Sequence, residues 1–133
     1  MKAVFADSFH FLALLNRNEP VHERAVLEHR RKWQSIVTTD CVILEIGDAL
    51  CAPRDHDDFL ALYESFQADG RINIVRLTPE LLNKGIRRFQ ERPDKDWPLT
   101  DCISFVVMEE SGLYDALTAD QHFEQAGFKA LLK

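Results

Sequence analysis

Four acidic residues lie at positions from which a folded chain could build a catalytic site. Asp7 follows a short apolar segment at residues 1–6, and Asp120 follows a second apolar run at residues 116–118. Both acids therefore stand where a strand is expected to end and a helix to begin. Glu45 and Asp101 lie inside predicted helices that are largely apolar, so each needs a partner, a metal or water.

Two of these acids also have a purely structural interpretation. Asp7 and Ser8 are good N-cap residues, because their side chains accept hydrogen bonds from the free N–H groups of a first helical turn. Taken alone, this pair predicts a helix cap more readily than a catalytic acid. Glu45 shares a helix face with Val42 and Ile46, yet a boundary position would let its carboxylate reach solvent. These residues become a site only if the fold brings them together.

The order of the predicted elements supplies a fold that would do so. Apolar or β-branched segments alternate with pairs of helices in the order β-α-α-β-α-α-β-α-α-β-α, with one further strand at residues 129–132. Such alternation indicates an α/β protein with three layers, α/β/α, around a parallel sheet of four to five strands. We predict the strand order 3-2-1-4-5 for a single domain spanning residues 1–133.

This strand order would gather the four acids at one edge of the sheet. Ligands of parallel sheets bind beyond the carboxyl ends of the strands. With strand 1 beside strand 4, Asp7 and Asp120 meet there, and Glu45 and Asp101 reach the same pocket from adjoining helices. Four carboxylates repel one another unless a cation lies between them, and oxygen ligands favour Mg²⁺ or Mn²⁺ over Zn²⁺. Such sites hydrolyse phosphodiester bonds, which is the chemistry we predict.

Composition limits the class of protein. Acidic residues outnumber basic ones by 22 to 16, so net charge predicts no general attraction to nucleic acid or anionic lipid. No apolar run approaches the roughly 18 residues of a membrane helix. Cys41, Cys51 and Cys102 lack the spacing of a zinc site or redox motif and are predicted to be core thiols. Their odd number, and the lack of a charged leader with an apolar run, predict a cytoplasmic protein.

Four blocks of this sequence resemble the PIN-domain ribonucleases, and in particular the VapC-like toxins of toxin-antitoxin pairs. The blocks lie at residues 7–25, 38–45, 94–108 and 116–123 and together cover essentially the whole chain. Each block is common alone, but four in this order and spacing are specific. One departure is Pro98, where the family more often has serine or threonine. Proline suits a first helical position but lacks a capping hydroxyl.

The resemblance implies an endoribonuclease that depends on Mg²⁺ or Mn²⁺ and acts on RNA, with Asp7, Glu45, Asp101 and Asp120 as its catalytic acids. It also implies a cognate antitoxin whose tail covers the acidic pocket, and a homodimer. Our hypothesis for the roles is that Asp7 and Asp101 are the primary metal ligands. Glu45 and Asp120 then complete the site directly or through water.

Several residues near the acids are secondary candidates. Asp96 and Thr100 are placed beside the acids by position alone, and a solvated loop acid is the simpler interpretation of Asp96. Thr118 is predicted to orient an acid by donating a hydrogen bond. His122 is interpreted as a helix-start residue. Trp97 either stacks on a base of single-stranded RNA or belongs to the core or an interface.

Two basic clusters are candidates for phosphate contacts, although a solvated helix face is the simpler explanation. They comprise Arg30, Arg31 and Lys32, and the slightly favoured row of Lys84, Arg87, Arg88, Arg92 and Lys95.

Two alternative functions are a PIN-like module that has lost activity and only binds a partner, and a receiver-like signalling domain. The presence of all four acids counts against the first, and the lack of a phosphoacceptor aspartate after the third strand counts against the second.

Overall fold

The computed structural model describes residues 2–133, in which strands and helices alternate along the chain. The strands are β1 (Ala3–Ala6), β2 (Ser35–Thr39), β3 (Ile72–Val75), β4 (Asp115–Leu117) and β5 (Lys129–Ala130). The α-helices are α1 (Ser8–Leu15), α2 (His22–Arg30), α3 (Asp40–Ala49), α4 (His56–Ala68), α5 (Pro79–Glu91), α6 (Leu99–Glu110) and α7 (Gln121–Gln125). Within residues 2–133, no helix combines the length and apolarity needed to cross a bilayer.

The strands form one parallel sheet in the order β3-β2-β1-β4-β5, which confirms the predicted order. Helices cover both faces and give the predicted three-layer α/β/α arrangement. The central strand β1 pairs with β2 through Ala3 and Ser35, and with β4 through Ala6 and Leu117. The carboxyl ends of β1 and β4 therefore lie side by side, where a doubly wound sheet leaves a crevice for ligands.

The core lies around β1 and the long helix α6. Val4 and Phe5 of β1 are completely buried, because a central parallel strand is covered by helices on both faces. Helix α6 is buried over every residue from Asp101 to Met108. Its Phe105 ring packs edge-on against other aromatic rings at centroid distances near 5.1 Å. The first turn of α6, which carries Asp101, is thus held by a rigid helix.

Threonine N-caps begin two of the helices, as the sequence predicts. Thr39 Oγ1 accepts a hydrogen bond from the Val42 N–H at 3.1 Å, and Thr78 Oγ1 accepts one from the Leu81 N–H at the same distance. Pro98 occupies the N-cap position of α6 and supplies no side-chain hydrogen bond. The start of α6 is therefore fixed by packing and not by a capping hydroxyl.

The second helix is shorter than expected. The charged run at residues 19–34 predicts one long helix, but α2 ends at Arg30. Arg31 adopts extended backbone geometry, with φ −64° and ψ 160°. Two residues later, Trp33 is buried and donates its indole N–H to the Glu28 carbonyl at 2.9 Å. Burying the Trp33 ring therefore stabilises the fold more than continuing α2 would.

Two further local expectations are wrong. A strand is predicted at residues 71–77, but β3 ends at Val75, because the backbone N–H of Leu77 turns to donate to Asp40 Oδ2 at 2.9 Å. Cys51 was expected in the core and is exposed, since it lies beyond the end of α3. The other two cysteines are buried as expected.

The contact between α5 and α6 depends on the absence of a side chain at Gly85. A Cβ atom there would overlap Ile103 Cγ1 far inside van der Waals contact. We expect Gly85→Ala to lower the free energy of unfolding by about 1–3 kcal/mol, because overpacking outweighs the gain in helix propensity. Urea denaturation of both proteins measures this difference.

Gly47→Ala is the matched control, because a Cβ at this helical position would meet only the Phe59 ring at an ordinary 3.5 Å. We expect it to raise the free energy of unfolding by about 0.5–1 kcal/mol. If Gly85→Ala is as stable as Gly47→Ala, α5 and α6 do not pack too closely to admit a Cβ atom at position 85, and the inference is contradicted.

Candidate active site

Asp7 directly follows β1, and its carboxylate is turned away from the helix that it precedes. The residue occupies the N-cap position of α1, but its side chain makes no capping hydrogen bond, and only 4% of it is exposed. Instead, Oδ2 accepts a hydrogen bond from the hydroxyl of Thr118 at 3.0 Å. The capping interpretation of Asp7 is therefore wrong, and the predicted role of Thr118 as an orienting donor is confirmed.

Asp120 lies just beyond β4 and is fixed by hydrogen bonds of its own. Its backbone N–H donates to Thr118 Oγ1 at 3.1 Å, and its Oδ1 accepts from the backbone N–H of His122 at 2.9 Å. The Thr118 hydroxyl thus links the Asp7 carboxylate to the backbone of Asp120. The link follows from the sheet register, in which the last residues of β1 and β4 lie opposite each other.

Glu45 reaches the same region from the second turn of α3. Its Oε1 accepts a hydrogen bond from the Ser8 hydroxyl at 3.0 Å. The residue is half-buried, so its carboxylate lies neither in the apolar core nor freely in solvent. Ser8, which directly follows Asp7, therefore ties α3 to the end of β1.

Asp101 faces the acids from the first turn of α6 and contacts a histidine that sequence analysis placed only at a helix start. Its Oδ2 lies 3.0 Å from His122 Nδ1, and the same nitrogen lies 3.3 Å from Asp120 Oδ1. Asp101 is 5% exposed. The signal available for His122 was its spacing, two residues after an acid that ends a strand, which places a side chain at the mouth of the crevice.

In addition to burial, neighbouring carboxylates raise the pKa values of Asp7, Asp101 and Glu45, and the charges responsible include those of Asp101, Glu45 and Asp120, so all four acids lie within one electrostatic environment. Burial, followed by the charge of Asp101, raises the pKa of Asp7 to about 7. Burial also raises the pKa of Asp101 to about 6, and the charges of Asp120 and Glu45 add to this shift. The pKa of Glu45 is likewise raised by burial and by the charge of Asp120. The fold therefore concentrates negative charge that a bound cation would offset.

The donor atoms present fit a divalent metal ion. One carboxylate oxygen each from Asp101 and Asp120 and one ring nitrogen of His122 lie within 4.8 Å of one another. Asp7 and Glu45 are not part of this close group, but their carboxylates lie near enough to interact electrostatically with Asp101 and Asp120 respectively. Carboxylates with an imidazole form a typical ligand set for a divalent cation, and such an ion relieves the repulsion among the acids.

Asp96 and Thr100 were predicted to lie beside the acids from their position in the sequence alone, and neither holds an acid in place. Asp96 is exposed. Thr100 is half-buried, and its carbonyl oxygen accepts a hydrogen bond from the Ser104 hydroxyl at 3.1 Å. The hydroxyls that hold the acids are those of Ser8 and Thr118.

Trp97 belongs to the core, so its predicted alternative role in base stacking is wrong. The residue is 3% exposed, and its indole N–H donates to Gln125 Oε1 at 3.0 Å. The guanidinium groups of Arg88 and Arg92 lie over its ring at 5.9 and 5.4 Å from the centroid. A base of RNA has no open face of this ring on which to stack.

Much of the favoured basic row is engaged in ion pairs. These are Lys84 with Glu110 at 2.6 Å, Arg88 with Glu109 at 2.5 Å and Arg92 with Asp94 at 3.0 Å. In the other cluster, Arg31 pairs with Glu28 at 3.1 Å. Side chains committed to such pairs are less available to phosphate groups, so the solvated-face explanation gains support and the RNA contacts stay a prediction.

A family model described as the PIN domain matches residues 4–129, nearly the whole chain. Comparison with curated protein sequences gives no match. The observed strand order also differs from the 2-1-3-4-5 order of flavodoxin-like receiver domains. The receiver-like alternative is therefore excluded.

Solved structures with the same fold include toxins. VapC20 of Mycobacterium tuberculosis, described as a sarcin-ricin loop cleaving toxin, is similar with a TM-score of 0.85 and 22% identity over 94% of this chain and 95% of that chain. VapBC2 from Rickettsia felis, solved bound to a DNA fragment from its promoter, has a TM-score of 0.68 and 9% identity, covering 98% and 96%. PAE2754 from Pyrobaculum aerophilum has a TM-score of 0.60 and 21% identity, covering 98% and 90%.

The raised pKa of Asp7 predicts how stability of the metal-free protein depends on pH. An unfolded aspartate ionises near its usual value of 3.8, whereas folded Asp7 resists ionisation until about pH 7. Ionised Asp7 thus opposes folding increasingly as pH rises between these values. Asp7→Asn removes this effect, so its stability relative to wild type should rise by roughly 2 kcal/mol between about pH 5 and about pH 8.

Urea denaturation in EDTA at the two pH values measures this change, and comparison with wild type cancels the opposing titration of the buried histidines. Asp96→Asn, which removes an exposed acid, is the control and should show no such trend. Equal pH dependence of wild type and Asp7→Asn would contradict the raised pKa.

Proposed function

The chain belongs to the PIN domain family, and on that premise we propose that it is a metal-dependent endoribonuclease that hydrolyses phosphodiester bonds of RNA. The observation that carries this proposal is that Asp7, Glu45, Asp101 and Asp120 lie close enough to interact electrostatically, so that burial and the neighbouring charges raise the pKa values of Asp7, Asp101 and Glu45. A structural role does not call for four adjoining acids, because their mutual repulsion destabilises the fold.

The ion that these acids would hold is Mg²⁺ or Mn²⁺, with Asp7 and Asp101 as primary ligands and Glu45 and Asp120 completing the site. When bound, such an ion supplies a water of lowered pKa and offsets charge on the phosphate. The reaction adds water across the P–O bond, so the bond to the leaving ribose oxygen breaks and that oxygen takes a proton.

The chain's own residues prepare the site by holding one carboxylate oxygen of three of the four acids. Thr118 donates to Asp7 Oδ2, Ser8 donates to Glu45 Oε1, and a backbone N–H donates to Asp120 Oδ1. These three acids are therefore oriented before a ligand arrives, which avoids the cost of ordering them during binding. Burial of Asp7 keeps bulk water from its carboxylate.

We propose ribosomal RNA hairpins as the first substrates to test, alongside single-stranded RNA. VapC20, which shares this fold, is described as cleaving the sarcin-ricin loop. We further propose that this chain is the toxin of a toxin-antitoxin pair, because VapBC2, another protein of this fold, was solved with promoter DNA. A cognate antitoxin covering the acidic pocket, and a homodimer, complete the proposal.

Exposed apolar side chains support a protein partner. Leu27, Leu44, Leu60, Phe89 and Tyr114 are each between 52% and 67% exposed. Scattered exposed apolar residues are ordinary, whereas a contiguous patch marks an interface, and we propose that a subset of these side chains contacts the partner. The alternative function, a PIN-like module that binds a partner without catalysis, rests on the same residues.

Cleavage of labelled RNA distinguishes the two functions. We expect purified protein to cut a sarcin-ricin hairpin or a single-stranded panel with Mg²⁺ or Mn²⁺ and not with EDTA. Asp101→Asn should reduce the rate on the order of 100-fold or more, because it removes a ligand that acts on the reacting groups. Asp96→Asn, in an exposed loop, should cut at the wild-type rate.

The contrary result is inert wild-type protein whose melting temperature does not change with either metal. That outcome would establish the partner-binding alternative. Cleavage by the Asp101→Asn protein at the wild-type rate, with contaminating nuclease excluded, would instead disprove the assigned site.

A further inference from the structure

We propose that His122 is a nitrogen ligand of this metal site and that it favours Mn²⁺ over Mg²⁺. The inference rests on the proposed function, since it concerns the same pocket, and extends it by adding a ligand that changes the metal preference. The four acids predicted from the sequence offer only oxygen donors, whereas the folded site also contains the imidazole of His122.

The position of the His122 ring carries the inference. Its Nδ1 lies 3.0 Å from Asp101 Oδ2 and 3.3 Å from Asp120 Oδ1. One ligand atom from each of these three residues lies within 4.8 Å of the other two, so the residues can surround one ion. The side chain is 21% exposed, so it lies at the mouth of the pocket and not in bulk solvent.

A purely structural role for the ring explains less. The capping contact at the start of α7 is made by the backbone N–H of His122, which donates to Asp120 Oδ1 at 2.9 Å. Any residue other than proline at this position would provide that N–H. The ring is thus not required for the cap, yet it is aimed at two carboxylates that have been placed together by different elements.

The chemistry of the nitrogen sets the expected preference. Mg²⁺ is a hard cation that takes oxygen ligands and gives up its waters reluctantly, whereas first-row transition ions accept imidazole readily. Nδ1 binds a metal only when it carries no proton, which requires the neutral ring with its proton on Nε2. Partial exposure of the side chain lets that Nε2–H face water.

Binding of Mn²⁺ to the full chain, without RNA, tests the proposal. Electron spin echo spectroscopy of the Mn²⁺-loaded wild type should show coupling to a ¹⁴N nucleus. His122→Ala and His122→Gln should each lose this coupling and bind Mn²⁺ about tenfold or more weakly by calorimetry, with a much smaller change for Mg²⁺. Thermal melts in EDTA confirm that both variants fold.

His56→Ala is the matched control. This histidine is exposed, and its ring contacts the carbonyl oxygen of Cys51 rather than an acid of the pocket. It should retain the ¹⁴N coupling and the wild-type affinity for both metals. Asp101→Asn should weaken binding of both metals, which shows that the acids form the site.

Two results would overturn the proposal, and they are distinguishable. Mn²⁺ binding that depends on Asp101 but shows no ¹⁴N coupling would remove His122 from the ligands while the proposed function stands. A wild-type protein that binds neither metal would remove the metal site itself, and the proposed function with it.

Discussion

The parallel pairing of β1 with β4 is the interaction on which the site depends. It brings Asp7 within hydrogen-bond distance of Thr118, although 111 positions separate them in the chain. The backbone N–H of Asp7 also donates to the Leu117 carbonyl at 3.3 Å. Because these bonds continue the ladder of the sheet, the geometry of the pocket is set by the same contacts that stabilise the fold.

The remaining acids are held by elements that pack on this pair. Helix α6 is buried from Asp101 to Met108 and cannot shift without opening the core, so Asp101 is confined. Helix α3 is fixed by its Thr39 cap and by the bond between Ser8 and Glu45. Apolar packing thus holds the carboxylates close together in spite of their mutual repulsion. Strain is commonly stored at functional sites in this way.

The architecture could be predicted because it follows from local patterns. Apolar segments followed by an acid or a threonine cap mark the ends of strands and starts of helices, and alternation of elements then limits the topology. The orientation of His122, the inward turn of Trp33 and the exposure of Cys51 could not be predicted. Each is decided by neighbours distant in sequence, and periodicity within one segment carries no information about them.

Asp7 and the residues after β4 are far apart in the sequence, which delays assembly of the site during synthesis of the chain. During synthesis, β1 and β2 emerge early, but Thr118 and Asp120 lie within the last part of the chain. Until β4 has left the ribosome and inserted beside β1, Asp7 lacks both its hydrogen-bond donor Thr118 and the neighbouring acid Asp120. A growing or prematurely ended polypeptide therefore lacks the complete group of acids.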